Sequence, residues 1–84
     1  MVFGERKGGD QMRAYVFIDV EGDPTEVVSS LRDIPGVKEA DALFGPTDAV
    51  AHIEAPDEAA LMEVIGQMYE IEDLLSTDTR IVIE

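Results

Sequence analysis

The sequence predicts an α+β domain with the element order β-α-β-β-α-β, and two observations carry that prediction. Apolar residues recur at every second position in four segments and at helical spacing in two others. Turn and cap residues divide these segments: Asp23-Pro24, Pro35-Gly36, Gly45-Pro46 and Pro56-Asp57. A length of 84 residues fits one domain.

Residues 1–11 (MVFGERKGGDQ) hold three glycines and no apolar period, so they are expected to be a flexible N-terminal extension. Met12 reads as the natural start, and residues 12–84 as the folded domain. Arg13 to Val20 (RAYVFIDV) is rich in β-branched and aromatic residues and predicts the first strand. Asp23 is placed to cap a helix, with Pro24 at its first position and Glu26 completing a capping box. Val27, Val28, Leu31 and Ile34 form its apolar face, and Pro35-Gly36 ends it. Val37–Phe44 and Thr47–Ala55 predict two strands joined by the Gly45-Pro46-Thr47-Asp48 turn. Ala55-Pro56-Asp57 opens a second helix, with Leu61, Val64, Ile65, Met68 and Ile71 on its inner face. Gly66 weakens that helix slightly. Glu72–Asp78 reads as a loop and Thr79–Ile83 as the last strand. This is the ferredoxin-like split βαβ plan: a four-stranded antiparallel sheet with two helices on one face.

Charge excludes several roles. The chain carries 19 acids against 6 basic residues, a net −13, and residues 1–11 contribute none of it because Glu5 and Asp10 balance Arg6 and Lys7. Such a chain is repelled by nucleic acid and by anionic membranes. Two explanations of the acid compete. One is an acidic face for a basic partner or cations. The other, favoured by the scattered acids and scarce lysine, is adaptation to a salty cytoplasm, which predicts stability rising steeply with salt. Cysteine is absent, so no disulfide or thiolate site is expected. No apolar run approaches a membrane span and no signal peptide is visible, so a cytoplasmic location is expected.

The sheet face away from the helices should be polar unless something covers it. Alternation instead puts Tyr15, Phe17, Leu43, Val50 and Val82 there, with His52 beside Val50. Exposing that set on so charged a chain is unfavourable, so two sheets are expected to pack face to face in a homodimer. A half-exposed face with a few aromatics is the alternative. His52 is then a packed histidine rather than a catalyst or ligand. Glu70, Glu72 and Asp73 read as a solvated acidic face, and Met62 and Met68 as packing residues. No phosphate loop, Ser/His/Asp set or metal-ligand spacing occurs, so neither an enzyme nor a cofactor is expected.

Three stretches occur in order on this plan: Ile34-Pro35-Gly36-Val37-Lys38-Glu39-Ala40, the hairpin Gly45-x-x-Asp48, and Thr77-x-Thr79-x-Ile81-Val82-Ile83. Together they resemble the effector-binding (RAM) domain of the Lrp/AsnC feast/famine transcription regulators, over residues 12–84. The resemblance implies a domain that dimerises through its sheets, gathers into rings such as octamers, and binds amino acids in clefts between dimers. It places Gly45, Pro46, Thr47, Asp48, Ser76, Thr77 and Thr79 at that cleft. Full-length members carry an N-terminal helix-turn-helix, which this sequence lacks, so assembly with itself or with full-length relatives is implied. Two departures stand out. Thr47 replaces an aromatic residue, and Glu72-Asp73-Leu74 replaces a Pro-Gly-Val.

Chemically, Asp48 offers a carboxylate to an ammonium group, and amides of the turn offer donors to a carboxylate. The simpler role for Asp48 is to accept hydrogen bonds within the turn. For Ser76, Thr77 and Thr79 it is loop capping and β propensity. Two functions follow: an amino-acid sensor that assembles, or a structural or partner-binding dimer that has lost its ligand. An ACT-like regulatory domain shares the strand order but fits the hairpin and the terminal threonines less well.

Overall fold

The computed structural model describes residues 11–83. The expected N-terminal extension lies outside the described residues, apart from Gln11. Six elements follow in the predicted order: β1 (Met12–Val20), α1 (Pro24–Arg32), β2 (Val37–Ala42), β3 (Ala49–Ala55), α2 (Glu58–Met68) and β4 (Leu74–Ile81). The strands form one antiparallel sheet in the order β2-β3-β1-β4, the arrangement expected of the ferredoxin-like plan.

One face of the sheet is the core. Ala14, Val16, Ile18 and Val20 of β1, Ala40 of β2 and Ala49, Ala51, Ile53 and Ala55 of β3 are all buried. The helices lay Val27, Val28 and Leu31, then Leu61, Val64, Ile65 and Met68, against them. Small alanines on β2 and β3 leave room for bulky Ile18 and Ile53 of the sheet and Leu31 and Leu61 of the helices, and among the described residues no polar residue is buried. Ile34 and Ile71, predicted on helix faces, lie just past the helix ends and pack against the core from there.

Asp23 caps α1 as predicted, and Asp57, in the stretch expected to open the second helix, caps α2. The Asp23 carboxylate accepts from the Thr25 amide at 3.0 Å and from its hydroxyl at 2.7 Å, and Asp57 accepts from the Ala60 amide at 2.8 Å. The Thr25 hydroxyl, then its amide, hold the Asp23 carboxyl below the usual carboxylate range. A lowered carboxyl contributes stability that is present above its unfolded value and lost as the pH falls through the folded one. Asp23→Ala is therefore expected to melt below wild type near neutral pH, with the gap closing in acid. Melting curves across the carboxylate range check this, and a gap constant with pH would rule out the ionised cap.

Two boundaries differ from the sequence reading. The β2–β3 connection is longer than a tight turn. It runs from Leu43 to Asp48, closed by a 2.8 Å bond from the Leu43 amide to the Asp48 carbonyl, and leaves Phe44 wholly exposed. The last strand starts at Leu74, not Thr79. Pairing with β1 extends it back through the expected loop, with Ile18 opposite Thr77 and Val20 opposite Leu74 across a bulge at Asp19/Val20.

Candidate functional site

Asp48 ties three segments together. Its Oδ2 accepts from the Val20 amide at 2.9 Å, its own amide donates to the Ile18 carbonyl at 3.0 Å, and its carbonyl receives the Leu43 amide. The loop is thereby lashed to the last residues of β1, where the bulge has broken the regular ladder. This is the turn-holding role, and it occupies one carboxylate oxygen. Gly45 has φ +156° and open space around the position a Cβ would take, while Pro46 and Thr47 complete the loop between it and Asp48.

The β4 residues flank the same end of the sheet from the other side of β1. Ser76 pairs with Asp19 and donates to its carboxylate at 3.1 Å. Thr77 and Thr79 pair with Ile18 and Val16 and so lie on the helix-covered face, where the Thr77 and Tyr69 hydroxyls hydrogen-bond at 2.6 Å. Strand alternation thus puts Ser76 and the two threonines on opposite faces. Asp48 and Ser76 are separated by β1, about 9–10 Å at two strand spacings. The predicted residues gather at one end of the sheet but do not converge on one point within a single chain.

That end is acidic. The Asp73 carbonyl takes the Glu21 amide at 2.8 Å, and the Asp73 carboxylate lies beside Gly22. Asp19, Glu21, Asp23, Asp48, Glu72 and Asp73 are all near the exit of β1, and among the described residues the basic ones are elsewhere. Arg13 opposes Glu54 at the far end of β1, Arg80 opposes Tyr15, and Arg32 and Lys38 line a shallow hollow beside β2 with Glu39, Ala40 and Asp41. Among the described residues no group of three or more His, Cys, Asp or Glu side chains is placed to hold a metal ion. No helix among them is long and apolar enough to cross a membrane.

The open face of the sheet carries Tyr15, Phe17, Val50 and His52 at its centre. Val82, just past β4, continues the register by donating to the Arg13 carbonyl at 2.8 Å, while Leu43 lies beyond the end of β2. Tyr15 and His52 stack with centroids 4.9 Å apart. Arg80 lies 5.9 Å above the Phe17 ring and bonds the Asp78 carboxylate at 2.9 Å, which holds the Asp78 carboxyl below its usual range. Sequence reasoning missed Asp19 and Tyr69 as partners of the β4 hydroxyls. Asp19 was recoverable, because alternation puts it on the same face as Tyr15 and Phe17.

The family model for the Lrp/AsnC ligand binding domain matches residues 13–84. Among solved structures, TTHA0845 of Thermus thermophilus is similar at 25% identity, covering 87% of this chain and 94% of that one, with a TM-score of 0.81. E. coli AsnC is 20% identical over 100% of this chain and 62% of its own, with a TM-score of 0.81. A Neisseria meningitidis transcriptional regulator solved with L-Met is 19% identical over 87% of this chain and 50% of its own, with a TM-score of 0.73. The last two likenesses show the fold alone. No curated sequence matches the chain significantly.

Proposed function

We propose, from the premise that this chain belongs to the Lrp/AsnC ligand binding domain family, that it is a regulatory module which senses an amino acid and assembles with copies of itself or with related regulators. The family is one of regulator domains rather than enzymes, and a cytoplasmic site of action fits that role. The observation that carries the reading is the lashed Gly45–Asp48 loop, which holds a carboxylate at the same sheet end as the Ser76 and Thr77 hydroxyls. Residues split by β1 within one chain suit a cleft completed by a neighbouring copy, as in a dimer or a larger ring. Asp48 would meet the ligand's ammonium group and loop amides its carboxylate. The L-Met bound by the Neisseria regulator supports an amino acid as the ligand class. The acids around this end favour one without extra negative charge. The scattered acid of the chain fits a protein that works in concentrated salt.

The test is a set of thermal melts in molar salt against each of the twenty amino acids. A ligand at ~100 times its dissociation constant adds about 2.7 kcal/mol to stability, a shift of several degrees for a domain of this size. A selective shift identifies the ligand. Cooperative melts that no amino acid moves would favour the second reading, an assembly module whose loop is only a connection.

A further inference from the structure

The outer border of β4 is bare. Val82 donates to the Arg13 carbonyl at 2.8 Å, so alternation gives the bonds toward β1 to Val82, Arg80, Asp78 and Ser76. Thr77, Thr79 and Ile81 then turn their amides and carbonyls outward, and among the described residues no strand pairs with them on that side. Folded proteins normally cover or blunt such a border, because it is a template for another strand. The helices cover it incompletely. Ile81 is 44% exposed although it sits opposite the fully buried Ala14, and Tyr69, which bonds Thr77 from the end of α2, is 54% exposed. On the opposite face, Asp78 and Arg80 form an exposed acid and base two positions apart.

We infer that this border pairs antiparallel with the β4 border of a second copy, about a two-fold axis through Thr79, joining the two sheets edge to edge. The reading above of a module that assembles with copies of itself is the premise, and this contact is separate from any packing of sheet faces. The side chains select the register. With Thr79 opposite the partner's Thr79, the outward groups of Thr77 and Ile81 meet those of the partner's Ile81 and Thr77. Asp78 then lies directly opposite the partner's Arg80, and Arg80 opposite the partner's Asp78, in the closer of the two pair types, with Cα atoms about 4.5 Å apart. Four charges alternate in sign across the seam. Moving the axis to Asp78 opposes acid to acid, and moving it to Arg80 opposes guanidinium to guanidinium. On the helix side, the same register sets Ile81 beside the partner's Thr77 and the Tyr69 ring bonded to it, so two half-exposed apolar side chains cover each other. On a chain of net charge −13, self-association is opposed by repulsion, and a seam whose own charges cancel is where it is opposed least.

The experiment is oxidative cross-linking of single-cysteine chains, since the sequence has no cysteine of its own. Thr79→Cys, Thr77→Cys and Ile81→Cys are oxidised in dilute solution, at a salt concentration where circular dichroism shows the reduced chains folded. Sedimentation equilibrium of wild type accompanies them. Residues opposite each other come within disulfide reach, whereas Thr77 and the partner's Thr77 lie about 13 Å out of register. Thr79→Cys is expected to link to itself, and Thr77→Cys and Ile81→Cys only to each other when mixed. These three positions lie on the helix side of the sheet, so two open faces packed together cannot produce the links. Within Thr79→Cys, adding Asp78→Arg or Arg80→Asp is expected to slow linking about tenfold, and mixing the two chains should restore it. Three results overturn the border pairing while leaving self-association standing: Thr79→Cys unlinked although wild type sediments as a dimer or larger, Thr77→Cys linking to itself as readily as Thr79→Cys, or a charge mixture no faster than either chain alone. A wild type that stays monomeric at every concentration overturns both.

Discussion

Gly36→Ala should lower the unfolding free energy by about 2–4 kcal/mol, the combined scale of a left-handed backbone imposed on alanine and of overpacking. Gly36 sits between α1 and β2 with φ +100°. An added Cβ would come within 2.7 Å of Val64 Cγ2 and 3.3 Å of the Glu54 carbonyl. Val64 is buried on α2, so it has no solvent to retreat into. The Gly36 carbonyl also takes the Glu54 amide at 2.9 Å, which pins the backbone where the methyl would push it. The measurement is a denaturant or thermal unfolding series with a double-mutant cycle. Val64→Ala removes the obstructing methyl, so Gly36→Ala should cost clearly less in the Val64→Ala background than in wild type. Additive losses would mean that the backbone angle, not the clash with α2, sets the penalty.

Asp48 carries the second large effect, because the same carboxylate is asked to hold the loop and to meet a ligand. Asp48→Ala strips the acceptor from the Val20 amide, whose residue is buried at 8% exposure. An unsatisfied donor there is expected to cost about 1–3 kcal/mol. Asp48→Asn keeps an oxygen for that amide and removes only the charge, so it should cost well under half as much. The ligand test therefore belongs to Asp48→Asn. With the amino acid found by the melt panel, asparagine should abolish the shift while leaving the free protein nearly as stable as wild type. A shift that survives in Asp48→Asn would assign the residue to loop holding alone. Equal destabilisation by both substitutions would remove the Val20 bond as its structural role.

The elements that face the helices were legible because their side chains alternate cleanly. Ala14, Val16, Ile18 and Val20, and Ala49 to Ala55 on the odd positions, are all buried as the period requires. The caps Asp23 and Asp57 were equally legible, since local chemistry fixes them. The start of β4 was not. Leu74-Leu75-Ser76-Thr77-Asp78 has no apolar alternation, and it becomes a strand only because the far half of β1 needs a partner. Conversely, Val82 and Ile83 read as strand but lie beyond its end, near where the described part of β1 begins. Gly45 to Asp48 lie in the β2–β3 connection, as read, but that connection begins at Leu43. The sequence did not reveal that Asp48 reaches across to Val20, 28 positions away, because side-chain bonds of that span follow from topology rather than from local pattern.

One contact bears on what this domain cannot become. Arg32, in the last turn of α1, wraps over the β2 border of the sheet and places Nε and Nη2 at 3.0 and 2.7 Å from the Ala40 carbonyl. A carbonyl already holding two charged donors is a poor docking point for a foreign strand. A sheet with one border blunted in this way cannot extend indefinitely by adding chains side by side, since every growing ribbon needs two receptive borders. Arg32 thus blunts the β2 border against the addition of a foreign strand at Ala40.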